Sequence, residues 1–300
     1  MKLQTTVECG KSSAGISLGD RITVLGSCFA DNIGKKLSEC GFNVCVNPFG
    51  TLYNPVSICN SVARLSGGVP FVESDCVEMG AGAGLVCSFS HHTSFARRTA
   101  AEFIENANAV LGEASAFWKT CDKVIISLGT AWCFRHEATG ETVSNCLKRP
   151  AAEFTRYRLG VQETALMLGR MVSRCPDKKF IFTVSPIRHL ADGAHGNRIS
   201  KSVLLLAVDR LCSDMAAAGG DRRCEYFPAY EILLDELRDY RFYAEDMCHP
   251  SPQAVDYIIE RFMDYAVPVT ELPQISSNLK AYRQSLHRPG PARQNNFHII

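Results

Sequence analysis

The feature that most constrains the fold is an alternation of strand-length apolar segments with longer amphipathic segments. Residues 123–128 (KVIISL) are β-branched and apolar enough to be buried on both faces, and they end at Gly129. Similar segments lie at 21–25, 42–46, 179–184 and 225–227, with helical stripes between them. Parallel strands need helix-sized crossover connections. The alternation therefore predicts an α/β protein, a three-layer α/β/α sandwich around a mainly parallel sheet.

Composition and charge exclude several classes of protein. The 300 residues are 46% hydrophobic and 21% charged, which is enough apolar material for a large core. A formal charge of +1 gives no overall attraction to nucleic acid or to an anionic membrane. No apolar run approaches the roughly 18 to 20 residues that span a bilayer, and residues 1–15 lack a signal-peptide core. We expect a cytoplasmic protein without a membrane span or a nucleic-acid partner.

The chain contains no repeat and no low-complexity linker. We predict a single α/β domain over residues 1–268, followed by a peripheral helix and tail over residues 269–300. The fourteen cysteines have neither C-x-x-C nor zinc-type spacing, and we interpret most of them as small buried hydrophobic residues. We expect no metal and no organic cofactor.

Two distant segments carry residues suited to nucleophilic catalysis. Ser27 follows the first predicted strand at the start of a helix, and Asp246 and His249 precede the last helix. Functional groups of an open α/β sheet gather where the strands end. A serine hydroxyl needs a neighbouring base, which His249 could supply while Asp246 orients the imidazole. Each piece taken alone also fits an ordinary turn or a helix-capping loop.

The string Gly26-Ser27-Cys28-Phe29-Ala30 resembles the motif that names the GSCFA family, which belongs with the SGNH (GDSL-like) hydrolases. The resemblance covers about residues 20–265. Further matching segments are 47–55 (NPFGTLYNP), 128–132 (LGTAW), 145–146 (NC), 185–189 (SPIRH) and the run from 226 to 251. The resemblance implies a flavodoxin-like, SGNH-type sheet, a nucleophile at Ser27, the Asp246 and His249 pair, and an oxyanion hole formed by the N–H groups of Ser27 and Gly50.

One turn departs from the wider superfamily. SGNH enzymes usually carry an Asn in a GTND-like turn as a further oxyanion donor, whereas this chain has Gly129-Thr130-Ala131-Trp132. Loss of such a donor costs roughly 2.7 to 4 kcal/mol of transition-state stabilisation. Thr130 and Asn145 are both candidates to replace it, and the sequence does not choose between them.

Three further residues leave alternatives open. The thiol of Cys28 lies at the same helix N-terminus and is an alternative nucleophile. We favour Ser27, because the superfamily serine falls there and because Cys28 would point in another direction from the first helical turn. His189 ends the strand that begins at Lys179, so it either binds substrate or is structural. We expect the His91-His92 pair on the surface or in a loop.

These residues predict an SGNH-like serine hydrolase, an esterase or deacetylase. It would cleave an O-acyl ester through an acyl-serine intermediate, on an acylated sugar or lipid. An acyltransferase would use the same residues, with a sugar hydroxyl in place of water. The third interpretation is a non-catalytic carbohydrate-binding protein. The absence of the usual Asn from the turn after Gly129 lends weight to it. The expected partner is a small-molecule or saccharide acyl ester, and the sequence does not indicate an oligomeric state.

Overall fold

The computed structural model describes residues 5–217 and 222–286. Its strands are β1 (Arg21–Gly26), β2 (Asn43–Val46), β3 (Val77–Glu78), β4 (Val86–Cys87), β5 (Lys123–Leu128), β6 (Trp132–His136), β7 (Thr142–Val143), β8 (Phe154–Arg158), β9 (Lys179–Val184) and β10 (Cys224–Tyr226). Its α-helices are α1 (Cys28–Glu39), α2 (Pro55–Gly67), α3 (Ala100–Lys119), α4 (Val161–Ser173), α5 (Gly193–Ala217), α6 (Ala229–Glu231), α7 (Pro252–Ala266) and α8 (Leu272–Leu286), and a π-helical stretch, Ile232–Leu237, follows α6.

The central sheet has five parallel strands in the order β2-β1-β5-β9-β10. Numbered among themselves, these strands run 2-1-3-4-5, which is the flavodoxin-like order. Helices cover both faces, so the predicted three-layer α/β/α fold is confirmed. From β1 the chain first adds β2 on one side and then crosses back to add β5 on the other side, so the order of addition reverses between β1 and β5. This topological switch point is where ligands bind in open α/β sheets.

Alternate residues of the central strands supply two separate cores. Ile125 of β5 packs on the side of α1 and α7, whereas its neighbour Ile126 packs on the side of α2 to α5. Both side chains are completely buried. Full burial of one such side chain contributes about 1.5 to 3 kcal/mol relative to its exposed state. The apolar run at 123–128 thus has a physical role on both faces of the sheet, as the sequence predicted.

The helix after residue 250 begins where capping chemistry predicts. The Ser251 hydroxyl accepts a hydrogen bond from the N–H of Ala254 at 3.3 Å, and Pro252 occupies the first helical position. The helix predicted beyond residue 268 is present as α8, where Asn278 donates to the carbonyl oxygen of Cys40 at 2.8 Å. The predicted loose tail after residue 286 lies outside the described residues.

A second, antiparallel sheet was not predicted from the sequence. Its order is β7-β6-β8, and Trp132 pairs with Arg158 and Phe134 with Arg156 across β6 and β8. These strands are short and carry arginines, so they lack the apolar run that identified the central strands. The small sheet follows β5 directly and forms one wall above the carboxyl edge of the central sheet.

All fourteen cysteines are free thiols; seven are buried and seven partly buried.

His91 lies in a loop as expected, yet it is fully buried. Its Nδ1 lies 2.7 Å from the Ser88 hydroxyl, and its ring centroid lies 4.6 Å from those of Phe71 and Phe95. Burial lowers the pKa of His91 to about 3, with a smaller contribution from Arg64, so its imidazole is neutral. His91 thus lies in a loop, as one of the two expected placements, with its side chain in the interior of the protein.

The described residues contain no group of three or more side chains able to hold a metal ion. No helix in residues 5–217 and 222–286 combines the length and apolar character needed to cross a bilayer.

Candidate active site

A cavity of about 660 Å³ lies at the carboxyl edge of the central sheet, at the switch point between β1 and β5. This volume falls within the range of small-molecule sites. The lining residues come from the ends of β1, β5 and β9, from the small antiparallel sheet and from the loop before α7. They are Ser27, Cys28, Tyr53, Thr130, Trp132, Phe134, Arg156, Ser185, Ile187, Arg188, His189, Leu190, Ala191, Asp192 and His249.

The turn from β1 into α1 depends on a glycine. Gly26 has φ +132°, and a Cβ built there would lie 2.1 Å from the carbonyl oxygen of Ser127 in β5. Its N–H donates to Oδ1 of Asn47 at 2.8 Å. Only glycine tolerates both this backbone conformation and this approach between strands. The close contact of β1 with β5 brings residue 27 against Ser127.

Ser27 acts as the N-cap of α1. Its Oγ accepts a hydrogen bond from the N–H of Phe29 at 3.3 Å and lies 3.0 Å from the Oγ of Ser127. Its backbone N–H donates to the carbonyl oxygen of Ser127 at 3.0 Å. The residue is 1% exposed. Ser27 reaches the cavity wall, with both its hydroxyl and its N–H engaged inside the protein.

Cys28 is the first residue of α1 and also lines the cavity. It is partly exposed, and its Sγ lies 3.7 Å from the hydroxyl oxygen of Tyr53. That tyrosine hydroxyl lies 3.3 Å from Oγ1 of Thr51. Burial raises the pKa of Tyr53 to about 12, so the group stays protonated and able to donate.

The Asp246 and His249 side chains form the pair that their spacing predicted. Nδ1 of His249 lies 2.6 Å from Oδ2 of Asp246, and Oδ1 of Asp246 accepts the N–H groups of Cys248 and His249 at 2.9 Å each. These hydrogen bonds, led by those from His249, lower the pKa of Asp246 to about 2. The carboxylate is therefore ionised, and it holds the imidazole with Nδ1 toward Asp246 and Nε2 away from it.

Backbone hydrogen bonds anchor the loop that carries this pair. The N–H of Arg188 donates to the carbonyl oxygen of Cys248 at 2.9 Å, and the N–H of Ala244 donates to that of His249 at 2.8 Å. Met247 takes φ +56°, which reverses the chain between Asp246 and His249. The connection through Arg188 ties the loop to the segment after β9, and His249 lines the cavity.

The four predicted oxyanion residues do not all reach the cavity. Ser27 and Thr130 line it, whereas Gly50 and Asn145 do not. The Gly50 N–H donates to the carbonyl oxygen of Asn47 at 2.7 Å, closing a turn. Oδ1 of Asn145 accepts the N–H of Leu147 at 2.8 Å within its own loop. The turn occupies the Gly50 N–H, and the Asn145 side chain lies outside the cavity lining, so neither is placed to donate to an oxyanion there.

Thr130 is held in place by the turn after β5. Its Oγ1 accepts the N–H of Trp132 at 3.1 Å and lies 3.0 Å from Oγ of Ser200, which also accepts the N–H of Ala131 at 2.8 Å. The backbone N–H of Thr130 donates to the carbonyl oxygen of Tyr53 at 3.0 Å. Only the Thr130 side chain is therefore placed to interact with a ligand.

His189 lines the cavity, where the sequence placed it. Its backbone N–H donates to Oδ1 of Asn197 at 3.0 Å, and its ring lies 6.2 Å from that of Tyr53. Burial lowers the pKa of His189 to about 4, and the nearby charge of Lys201 adds to this effect. The imidazole is neutral near pH 7 and can both donate and accept a hydrogen bond.

Sequence reasoning missed Lys201 beneath the cavity. The side chain is almost completely buried, and Nζ donates to the carbonyl oxygens of Gly129 at 2.6 Å and Ser185 at 2.7 Å. It thereby links the ends of β5 and β9. Burial lowers its pKa to about 7. The sequence did contain a signal for this burial, because Lys201 lies three residues before Leu204 and therefore on the same apolar face of α5.

The sequence analysis also did not single out the residues that form the outer wall of the cavity. The Arg156 guanidinium stands over the Trp132 ring at 4.0 Å and forms an ion pair with Asp192, whose side chain is 4% exposed. Aromatic and guanidinium planes stack favourably in this arrangement. These residues come from β6, β8 and the segment before α5, so no local pattern brings them together.

The fold and this cavity define the chain as a doubly wound α/β protein with a ligand-sized site at the topological switch point. The chain belongs to the GSCFA family, because the model of that family matches residues 21–262. A search of the curated proteins gives no match to the chain.

Proposed function

We propose that the protein is an SGNH-like hydrolase that cleaves an O-acyl ester through a covalent acyl-enzyme. One observation carries the proposal. His249, which Asp246 holds through a 2.6 Å hydrogen bond, lines the same cavity as the nucleophilic side chains at the N-terminus of α1. Nucleophile, base and orienting carboxylate are the three groups that acyl transfer requires.

The reaction would proceed in two displacements. A side chain at the start of α1 attacks the acyl carbon while His249 accepts its proton, and the tetrahedral intermediate expels an alcohol that takes the proton back from His249. Water, deprotonated by His249, then attacks the acyl-enzyme and releases the acid. Asp246 stabilises the imidazolium at both stages. The positive end of α1 and the side chain of Thr130 support the negative oxygen of each intermediate.

The lining of the cavity favours a small polar ester. Trp132, Phe134 and Tyr53 provide aromatic faces, and Arg156, Arg188 and His189 provide polar groups. Aromatic faces with hydrogen-bonding groups around them suit a sugar ring as well as a short acyl chain. We propose an O-acylated saccharide or a comparable small ester as the substrate.

The test measures p-nitrophenol release from short-chain p-nitrophenyl esters by the full chain. We expect turnover by wild type and a loss of at least about 1,000-fold for His249→Ala, since the base serves both displacements. His195→Ala is the matched control, because His195 is exposed and does not line the cavity.

Acyl-sugar substrates and sugar acceptors are tested next with the same variants. Formation of acylated acceptor in preference to free acid would identify a transferase. A folded wild type without turnover on any ester, but with saturable saccharide binding, would replace the proposal with a non-catalytic binding role.

A further inference from the structure

We propose that the thiol of Cys28, rather than the hydroxyl of Ser27, is the nucleophile, so that the acyl-enzyme is a thioester. This inference rests on the proposed acyl transfer at the cavity and names the atom that carries the acyl group. The two residues are adjacent in sequence, and the turn at Gly26 decides which side chain faces the ligand.

Ser27 is already used by the fold. Its Oγ caps α1 through the N–H of Phe29 and lies 3.0 Å from the hydroxyl of Ser127, which is itself fully buried. Attack by Ser27 would break the cap and leave the Ser127 hydroxyl without this partner. A buried polar group that loses its hydrogen bond is unfavourable. Ser27 is therefore placed as a structural N-cap.

Cys28 has the exposure that Ser27 lacks. Its Sγ lies 3.7 Å from the Tyr53 hydroxyl and makes no shorter polar contact among the described residues, and Cys28 and His249 line one cavity. Cys28 is the first residue of α1, at the positive end of the helix dipole, and its own backbone N–H is not taken up by a helical hydrogen bond. A thiolate formed there is the reactive form of cysteine.

The backbone gives a second argument. In residues 5–217 and 222–286, no hydrogen bond occupies the N–H of Cys28, whereas the N–H of Ser27 donates to Ser127 at 3.0 Å. Phe29 and Ala30, the next two residues of α1, both donate their N–H groups to Ser27. The N–H of Cys28 is therefore free to stabilise an oxyanion that forms on an acyl group bonded to its own Sγ.

The chemical step balances without an oxidant or another reactant. His249 takes the thiol proton, Sγ of Cys28 forms a bond to the acyl carbon, and the ester C–O bond breaks as the alcohol receives that proton. Water then loses a proton to His249 and attacks the thioester. The C–S bond breaks, the acid leaves, and the proton on His249 returns to the thiolate.

Other cysteines provide internal controls. Burial raises the pKa of Cys45 and Cys133 to about 12, which keeps these thiols protonated and unreactive. Cys76 is partly buried like Cys28, does not line the cavity and lies outside the loop that carries Asp246 and His249. Cys76→Ala is therefore the matched control for Cys28→Ala.

The experiment compares ester turnover by wild type, Cys28→Ala, Ser27→Ala and Cys76→Ala, with folding checked by circular dichroism. We expect Cys28→Ala to lose at least about 1,000-fold in kcat/KM. Cys76→Ala should match wild type, and Ser27→Ala should lose less than about tenfold per folded molecule while melting earlier through loss of its cap. Loss of turnover in a folded Ser27→Ala, with Cys28→Ala still active, would overturn the inference.

Trapping of the acyl-enzyme provides a readout that does not depend on Ser27→Ala folding. Wild type is quenched in acid during turnover, and tandem mass spectrometry of the peptide locates the acyl group on residue 27 or 28. We expect it on Cys28 and removable by neutral hydroxylamine, which cleaves thioesters. An acyl group on Ser27 would overturn the inference and leave the proposed function intact. A wild type with neither turnover nor adduct would overturn the proposed function itself.

Discussion

Gly26 lies so close to Ser127 that a Cβ on Gly26 would stand 2.1 Å from the carbonyl oxygen of Ser127. Strands β1 and β5 therefore leave no room for a side chain at position 26, next to the cavity that Ser27 lines. This contact links the folding of the sheet to the geometry of the site. The N–H of Ser27 bonds to the same carbonyl oxygen, at 3.0 Å.

Gly26→Ala should destabilise the protein by more than about 3 kcal/mol, because the strained backbone and the steric overlap act together. Urea denaturation measures the loss. Gly68→Ala is the matched control, since Gly68 has φ +62° but no atom within 4 Å of an added Cβ. That variant should lose only about 1 to 2 kcal/mol from backbone strain. Equal losses of stability for the two variants would show that steric overlap with Ser127 does not contribute.

Asp246→Asn should lower kcat by about 100-fold or more with little change in melting temperature. The amide keeps an oxygen for the N–H groups of Cys248 and His249, but it cannot stabilise an imidazolium. Both side chains of the pair are about half exposed, at 49% and 50%, so little folding stability depends on them. His249→Ala should be more severe in turnover. Early melting of both variants, with activity following the folded fraction, would make the pair structural.

The pKa of Asp246 also predicts a pH dependence. Because the folded value is lowered to about 2 from the ordinary 3.8, the stability that this carboxylate contributes is fully present above about pH 4. It is lost as the pH falls through 2. The free energy of unfolding of wild type should therefore fall relative to that of Asp246→Asn as the pH is lowered from 4 to 2, and urea denaturation over this range measures the difference. Parallel curves for the two proteins would show that the pKa of Asp246 is not lowered in the folded state.

Lys201→Met should remove a pH dependence of stability. Burial lowers the lysine pKa from 10.5 to about 7. Between these values the unfolded chain holds a proton that the folded protein has released. The free energy of unfolding of wild type should then rise with pH by up to about 1.4 kcal/mol per pH unit. Urea denaturation from pH 6.5 to 9.5 measures the slope.

The matched control for this lysine is Lys179→Met, since Lys179 is exposed on the first residue of β9. Its stability should follow the wild-type pH dependence. Parallel curves for wild type and Lys201→Met would show that Lys201 stays charged in the folded protein, held by the carbonyl oxygens of Gly129 and Ser185.

Thr130→Val should reduce kcat by about 100- to 1,000-fold with KM nearly unchanged, if its hydroxyl stabilises the oxyanion in place of the absent Asn. Thr130→Ser keeps the hydroxyl and should stay close to wild type. Steady-state kinetics on a short-chain ester separates kcat from KM. A Thr130→Val enzyme with wild-type kcat would leave the role to backbone N–H groups alone.

Local patterns predicted much of the fold. The apolar runs at 123–128 and 179–184 coincide with β5 and β9, and the Ser251-Pro252 signal marks the start of α7. The spacing of Asp246 and His249 predicted their pairing, because three residues of one loop can bring both side chains together. Such features depend on periodicity, capping and short-range geometry, which a sequence displays directly.

The same patterns did not predict which groups face the cavity. They placed Gly50 and Asn145 near the oxyanion, whereas neither residue lines the cavity and the Gly50 N–H bonds within its own turn. They also missed Lys201, whose buried ammonium group depends on carbonyl oxygens from two other segments. No local pattern encodes partners that lie more than about ten residues away in sequence.

The sequence by itself determined the layers of the fold and the Asp246 and His249 pair. Only the tertiary structure decided the position of the switch point, and that the Ser27 hydroxyl bonds inward to Ser127 while the Cys28 side chain stays partly exposed in the cavity that both residues line. The physical reason is the contact between β1 and β5 at Gly26, which sets the direction of the first helical turn. A contact between residues one hundred positions apart exists only once the sheet has formed.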